Sequence, residues 1–299
     1  RERLGAAGQY SASPVIANCT FRGNEGGPYT RGGGAYFGDQ GYAVPSEPSI
    51  ESCAFEGNAA FEGGAIYVER SALSIADTSF SGNTATTDGG AVCAFDASVV
   101  ILNSVFEANG SMTPEGGPLD PPGHGGAIYL DWEAQMSLAN SVFSSNAALV
   151  GGAVSDGGYT SATIEGCAFE GNSSTYSGGA METNQESTWF VRDTVFSGNQ
   201  AALDGGAVVV QTNYSGSPFF ERCRFVGNSA EGEGGAIWIG IAAPEFSDSV
   251  FWGNSSPMGG AVSVGPGYSY LVSALTNCTL ASNEADFGGA MYVIGDTVF

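Results

Sequence analysis

Four carboxylates stand immediately before a Gly-Gly pair, in two sets that are each about one repeat apart: Glu62 with Asp88, and Asp204 with Glu233. If the two carboxylates of a set lie side by side in neighbouring turns of a coiled chain, they repel each other. This repulsion is relieved when one carboxylate is protonated, when the side chains point apart, or when a cation bridges them. Calcium prefers carboxylate and carbonyl oxygens, so we expect calcium to be the bridge at either pair. The alternatives are solvated acids at a turn, or paired carboxylates for glycoside hydrolysis.

The chain has one histidine, His124, at the end of a proline-rich segment. A Ser-His-Asp arrangement would need Asp120 or Asp131 to orient the ring and a nucleophile such as Ser111 nearby. A lone histidine before Gly-Gly is more often a solvated loop residue. We therefore assign no catalytic residue and no cofactor other than calcium.

An internal repeat of about 29 residues places all of these side chains. Each copy contains Phe-x-x-Asn and then Gly-Gly-Ala with a following apolar residue, and ten copies of each phrase alternate strictly. The Asn column is Asn24, Asn58, Asn83, Asn109, Asn146, Asn172, Asn199, Asn228, Asn254 and Asn283. Three residues earlier stand Phe21, Phe55, Phe80, Phe106, Phe143, Phe169, Phe196, Phe225 and Phe251, with Leu280 in the last copy.

Apolar and mixed positions alternate after each Gly-Gly-Ala, which indicates short strands with one inward face. The residue after Ala, from Tyr36 in the first copy to Met291 in the last, is expected to face inward. Three short strands per repeat predict an all-β fold, a right-handed parallel β-helix solenoid of about ten coils. Residues 1–299 would form a single domain, with residues 1–15 as a partial first coil.

When identical residues stack about 4.8 Å apart in successive coils, the side chains of each column contact one another. The Phe column becomes an aromatic stack, and the Asn column becomes a hydrogen-bonded structural ladder. Gly-Gly suits a corner where a Cβ atom would clash. Five cysteines lie two positions before the Phe column, where the other coils have Ser or Thr, so we interpret this column as a small inward or corner position.

Composition excludes several classes of partner. The net charge is −23 and the eight basic residues are all Arg. Such an acidic surface repels nucleic acid and anionic membranes. No stretch is long and apolar enough to insert directly into a membrane. The last residues fit the start of an eleventh phrase, so we interpret the chain as part of a longer protein.

The longest departure from the repeat is the segment 110–124, which contains Pro114, Asp120 and His124. Its prolines limit the entropy lost on binding, so we predict that this loop contacts a partner. A tolerated surface insertion is the alternative.

The phrases Phe169-Glu170-Gly171-Asn172 and Gly234-Gly235-Ala236-Ile237 resemble the repeats of the chlamydial polymorphic outer membrane proteins. They are equally similar to those of other bacterial right-handed parallel β-helix repeat proteins, and the resemblance covers nearly the whole chain from about Ile16. It implies the secreted passenger of an autotransporter that acts as an adhesin. Pectate-lyase-like enzymes share the fold type, but nothing here matches their catalytic residues.

The sequence therefore predicts a non-enzymatic extracellular or cell-surface protein that serves as adhesin, spacer or filament element. Its partner would be a protein or glycan at a cell surface, or another copy through self-association along the rod. The alternative is a polysaccharide-binding or polysaccharide-degrading β-helix with a groove beside the loop 110–124.

Overall fold

A computed structural model describes residues 13–38, 46–111, 123–212, 218–265 and 273–294 of the chain. Within these ranges the protein contains only β-strands, turns and bends. No helix in the described part is long and apolar enough to cross a membrane. The predicted all-β solenoid class is confirmed by this architecture.

Short strands follow one another at regular intervals along the chain. The first fifteen are β1 (Val15–Ala17), β2 (Thr20–Arg22), β3 (Ala35–Gly38), β4 (Ser49–Glu51), β5 (Ala54–Glu56), β6 (Ala59–Ala60), β7 (Ile66–Glu69), β8 (Ala72–Ala76), β9 (Ser79–Ser81), β10 (Thr84–Ala85), β11 (Val92–Phe95), β12 (Ser98–Leu102), β13 (Val105–Glu107), β14 (Gly110–Ser111) and β15 (Ile128–Asp131). The next twelve are β16 (Gln135–Ala139), β17 (Val142–Ser144), β18 (Ala147–Val150), β19 (Val154–Asp156), β20 (Ser161–Glu165), β21 (Ala168–Glu170), β22 (Ser173–Ser177), β23 (Met181–Thr183), β24 (Thr188–Arg192), β25 (Val195–Ser197), β26 (Gln200–Ala201) and β27 (Val208–Thr212). The last ten are β28 (Phe219–Glu221), β29 (Arg224–Val226), β30 (Ser229–Ala230), β31 (Ile237–Ile241), β32 (Glu245–Ser247), β33 (Val250–Trp252), β34 (Val262–Val264), β35 (Ala274–Thr276), β36 (Thr279–Ala281) and β37 (Met291–Val293).

These strands form four parallel sheets that run along the axis of the solenoid. Sheet A has the order β1-β4-β8-β12-β16-β20-β24-β28-β32-β35, and sheet B has the order β2-β5-β9-β13-β17-β21-β25-β29-β33-β36. Sheet C has the order β6-β10-β14-β18-β22-β26-β30, and sheet D has the order β3-β7-β11-β15-β19-β23-β27-β31-β34-β37. Three sheets contain ten strands each, one from each coil, so the described part has ten coils.

The expectation of three strands per coil is wrong for coils two to eight, where sheet C adds a fourth. Its strands start directly after a ladder asparagine and most contain only two residues, as in Thr84–Ala85. The ladder holds the backbone of adjacent coils in register, so the next two residues continue the pairing. Two-residue strands give no visible alternation in sequence, which is why the pattern did not reveal them.

The nine phenylalanines of the repeat form a continuous stack inside the solenoid. Successive rings from Phe21 to Phe251 lie 4.5–5.0 Å apart between centroids, with interplanar angles of 2–10°. Every ring from Phe55 onward is fully buried. The in-register pairing of parallel strands imposes this near-parallel geometry, because identical residues are aligned across each sheet.

The ten asparagines form a ladder in which each buried amide is satisfied. In Asn172, Oδ1 accepts hydrogen bonds from the backbone N–H and from Nδ2 of Asn146, at 3.0 and 2.9 Å. Its own Nδ2 donates to Oδ1 of Asn199 and to the carbonyl of Phe143. The same pattern repeats along the column, so the ladder ties each coil to both neighbours.

The column two residues before the Phe stack forms a second ladder from thiols and hydroxyls. The Cys53 backbone donates to Oγ1 of Thr78, and the Thr78 backbone donates to Oγ of Ser104. Each of these side chains also donates to the carbonyl two residues before it, as Thr78 does to Ala76. All six cysteines are free thiols.

The Gly-Gly pair makes a corner that has no room for side chains. In coil five, Gly151 has a φ of +60°, and a Cβ on Gly152 would lie 2.1 Å from the carbonyl oxygen of Gly179 in the next coil. In coil one, three successive glycines shift the turn by one residue. Ala35 pairs with Ile66 and Tyr36 pairs with Tyr67, so the expectation that Tyr36 faces inward is wrong.

We expect Gly152→Ala to destabilise the solenoid by about 2–3 kcal/mol, because the new methyl group meets rigid backbone of coil six. Gly171→Ala is the matched control, since Gly171 has open space around it and a φ of +58°. Its strain should cost only about 1 kcal/mol. Equal shifts of the denaturant midpoint for the two variants would contradict the close approach of the coils.

Candidate functional site

The outer face of sheet D carries three parallel columns of side chains. The wall column is the residue directly before the corner glycines: Arg31, Glu62, Asp88, His124, Val150, Ser177, Asp204, Glu233, Met258 and Phe287. The floor column is the outward residue five positions later: Tyr36, Tyr67, Cys93, Tyr129, Ser155, Glu182, Val209, Trp238, Ser263 and Tyr292. The rim column follows two positions after the floor: Gly38, Glu69, Phe95, Asp131, Gly157, Asn184, Gln211, Gly240, Gly265 and Ile294.

Most of the floor column is buried or half-buried although it points away from the core, and Tyr36 at the first coil is exposed. Tyr67, Cys93 and Val209 are at most 4% exposed, yet they do not belong to the interior hydrophobic cluster. Most of the wall and rim retains partial exposure, as the side chains of Asp88 and His124 do at 18% and 24%, whereas Val150 and Ser177 in the wall are buried. We refer to this outer face, with its buried floor between two flanking columns, as the groove.

One end of the groove combines a cation with aromatic rings. Arg31 Nε lies 2.8 Å from Glu62 Oε2, and the Arg31 guanidinium lies 4.7 Å from the centre of the Tyr67 ring. Burial raises the pKa of the Glu62 carboxyl, against the opposing effect of Arg31. The Tyr36 hydroxyl donates to Glu69 at 3.0 Å. This end therefore has its charges paired within the protein.

Coils three and four bring a histidine against a carboxylate. His124 Nδ1 lies 2.8 Å from Oδ1 of Asp88, and the same oxygen accepts the backbone N–H of His124 at 3.3 Å. The imidazole stacks on Tyr129 at 5.4 Å between ring centres. Burial raises the pKa of Asp131 in the rim of the same coil, with a smaller contribution from Asp88.

Glu182 lies at the floor of the groove in coil six and is 5% exposed. The side chains of Gln211 and Asn184, both in the rim, hydrogen bond to its carboxyl group. Burial raises the pKa of Glu182 to about 7, although the nearby His124 acts in the opposite direction. Its Oε2 atom is buried and has no hydrogen-bond partner within the described ranges.

The floor residue paired with Glu182 is Ser155, whose Oγ is likewise buried and unpartnered in the described part of the chain. Beside it, Gly157 lets side chains of the preceding coil approach the backbone closely. A Cβ at Gly157 would lie 2.3 Å from Oδ1 of Asp131 and 2.6 Å from the hydroxyl of Tyr129. Oxygens of Tyr129 and Asp131 therefore lie against Gly157, while Ser155 and Glu182 supply buried oxygens in the floor of the same and the next coil.

The sequence of the chain matches a known family of β-solenoids. The profile for the right-handed β-helix region matches residues 4–297 of the chain. The chain belongs to the right-handed β-helix family. The family description names no organism, so the likeness to chlamydial passengers extends only as far as the repeat fold.

This β-helix is also similar to a metabotropic glutamate receptor-like protein R from Dictyostelium discoideum. The two are 27% identical over 202 residues, which is 67% of this chain and 12% of that relative. The match thus spans a small part of the relative's length. No solved structure matches the chain.

The four carboxylates predicted to hold calcium all lie in the wall of the β-helix, and each has a protein partner. Arg31 pairs with Glu62 and His124 with Asp88, while the backbone N–H of Glu233 donates to Asp204. Ser263 donates to Glu233 at 2.8 Å. No cluster of three or more His, Cys, Asp or Glu side chains suited to a metal ion occurs among the described residues. Calcium binding at either pair stays a prediction, and it would require these partners to be displaced.

The predicted partner-binding loop lies largely outside the described residues, which include neither Pro114 nor Asp120. At its two ends the structure differs from expectation. Residues 110 and 111 form β14, and His124 bridges the wall residues Asp88 and Val150. The interpretation of His124 as a solvated loop residue is therefore wrong, because the repeat resumes at Gly123 and places the ring in the groove.

Sequence reasoning missed Glu182 as a site residue. The available signal was a charged residue at an outward strand position whose neighbours in adjacent coils are Ser155 and Val209. It also missed Asp156, an inward carboxylate that accepts from Thr160 and from the backbone of Asn184, at 2.6 and 2.7 Å. Asp156 is fully hydrogen bonded and stabilises a corner, so we assign it a structural role.

Proposed function

We propose that this β-helix acts outside the cell or at the cell surface and binds a glycan along the groove, as an adhesin or an extracellular structural element. One observation supports this proposal above others. The groove contains aromatic rings, such as Tyr129 and Trp238, together with partly buried carboxylates and amides in the flanking columns. Sugars present apolar faces and hydroxyl groups, which these two kinds of side chain bind.

Charge supports a neutral or cationic glycan. The chain has a net charge of −23 and no lysine, so an anionic polysaccharide would be repelled. The Dictyostelium relative is a receptor-like protein by name, which supports a setting at the cell surface. A protein ligand, or self-association of the rod, is the competing proposal for the same face.

The test is a glycan array probed with three forms of the protein. Gly157→Trp should block the groove, because its side chain displaces Tyr129 and Asp131. Ser137→Trp adds the same side chain to an exposed position on sheet A and is the matched control. We expect the first variant to lose at least about tenfold in glycan binding, as a lost central contact does, and the control to bind as the unmodified protein.

Two outcomes would contradict the proposal. If the unmodified protein binds no glycan on the array, a glycan is not its ligand. Equal binding by Gly157→Trp and the unmodified protein would place the contact on another face of the solenoid.

Polysaccharide hydrolysis is a second candidate function. It is favoured by two carboxyl groups of the groove, Asp131 in coil four and Glu182 in coil six, whose pKa values are both raised by burial. A neutral carboxylic acid near pH 7 can protonate a leaving oxygen, while a second carboxylate acts as base or nucleophile. Release of new reducing ends from bound glycans, lost in Glu182→Gln, would support hydrolysis; intact glycans after prolonged incubation would exclude it.

A further inference from the structure

We propose that the groove contains a binding site for a primary ammonium group, formed by Glu182 Oε2 and Ser155 Oγ in its floor and by Asp131 and Tyr129 beside it. This inference rests on the proposed function and specifies the chemistry of the ligand. The ammonium would be carried by an amino sugar of the bound glycan, and a free polyamine is the other source with the same chemistry.

Two buried side-chain oxygens in the floor of the groove support this proposal. Ser155 is 0% and Glu182 is 5% exposed, and their side-chain oxygens Oγ and Oε2 have no hydrogen-bond partner within the described residues. They belong to paired strands, β19 and β23, so they lie about one strand spacing apart. Buried polar atoms are normally hydrogen bonded, so two adjacent orphans indicate a missing donor.

A donor with positive charge satisfies the ionised form of Glu182. A carboxylate is acceptor-only when it is ionised, and an ammonium offers three donors with one charge. In the neighbouring coil, Asp131 Oδ1 and the Tyr129 hydroxyl lie against Gly157, two residues after Ser155, and add acceptors beside the floor. No lysine exists in the chain to supply the ammonium from within.

The two cationic side chains described in the wall of the groove, Arg31 and His124, already have carboxylate partners. His124, which lies near Glu182, is held by Asp88, and Arg31 in the first coil pairs with Glu62 in the second. The second carboxylate near Glu182 is Asp156, which is fully hydrogen bonded and adds to the negative potential. Gln211 and Asn184 bind the Glu182 carboxyl group from the rim, and one of them must turn aside for the ligand to enter.

Calorimetric titration of the unmodified protein with three probes tests the site. The probes are a hexamer of β-1,4-linked glucosamine, the same hexamer fully N-acetylated, and spermidine. We expect the glucosamine hexamer to bind at least about tenfold more tightly than the acetylated hexamer, because acetylation removes the charge. Tighter binding of spermidine than of either hexamer would assign the ammonium to a free amine.

A variant pair locates the ammonium. Glu182→Gln keeps the shape and removes the charge, and it should weaken binding of the glucosamine hexamer by roughly 10- to 100-fold. Glu165→Gln removes the same charge from an exposed position of the same coil, on sheet A, and should leave binding unchanged. Melting curves of both variants establish that they are folded.

Proton release gives a readout that a purely structural role would not change. At pH 6, Glu182 is mostly protonated because its pKa is about 7, so an arriving ammonium must displace close to one proton. Titrations in two buffers of different ionisation enthalpy measure this release, and Glu182→Gln should abolish it.

The outcomes separate this inference from the proposed function. If both hexamers bind equally, and Glu182→Gln binds as the unmodified protein does, the ammonium site is overturned while glycan binding stands. If neither hexamer nor spermidine binds, the ammonium site is overturned as well, and the glycan array decides the proposed function independently.

Discussion

Replacing Asn172 by alanine is expected to lower the free energy of unfolding by about 2–6 kcal/mol. Two buried donors, the backbone N–H and Nδ2 of Asn146, lose their acceptor, and each unsatisfied buried group costs about 1–3 kcal/mol. Asn146 is 0% exposed, so water does not replace the lost partner. Chemical denaturation followed by circular dichroism measures the change in midpoint and slope.

Asn24→Ala is the control at the first described rung of the same ladder. Asn24 only donates to Asn58 through its backbone and side chain, at 3.1 and 2.7 Å, and it is exposed. Its removal leaves no buried donor without a partner, so we expect a loss below about 1 kcal/mol. A loss at Asn172 no larger than at Asn24 would show that the ladder adds little to stability.

The stability of the β-helix is expected to fall by about 2–3 kcal/mol between pH 5 and pH 8 because of Glu182. Its pKa in the folded protein is raised by burial from 4.5 to about 7, so the folded state binds the proton more tightly than the unfolded state. This contribution is complete below the unfolded pKa of 4.5 and is lost as the pH rises through about 7. Glu182→Gln should remove this pH dependence and be more stable than the unmodified protein at pH 8.

Other partly buried carboxyl groups contribute to the same pH dependence, so the prediction needs a control variant. Burial also raises the pKa values of Glu62, Asp131 and Asp204, which adds a pH dependence of the same sign. Glu165→Gln removes an exposed carboxylate and should leave the profile of the unmodified protein unchanged. Parallel profiles for Glu182→Gln and the unmodified protein, measured by denaturation at pH 5, 6, 7 and 8, would contradict a buried and partly neutral Glu182.

The sequence predicts which residues stack in the same column, because residues of one column recur at the same place in each repeat. Phe169 follows Phe143 at one repeat length, and parallel in-register pairing then stacks the two rings. The same reasoning predicted a polar ladder from Asn172, since a buried amide needs partners that only its neighbours in the column supply. Where the repeat is irregular, as with the three glycines before Ala35, the pattern gave the wrong face for Tyr36.

The functional face depends on contacts between columns, which spacing alone does not encode. The corner glycines fold the wall against the floor, and this buries Tyr67 and Glu182 on a side of the sheet that alternation assigns to solvent. For the same reason His124 meets Asp88 across the wall and does not extend from a loop.

The sequence by itself determined a ten-coil β-solenoid, its aromatic stack and its asparagine ladder, because identical residues at a fixed period can satisfy one another only by stacking. The tertiary structure decided which surface forms a groove and which carboxylate in it lacks a partner. That outcome depends on the turn at each corner and on the particular side chains that neighbouring coils place beside Glu182.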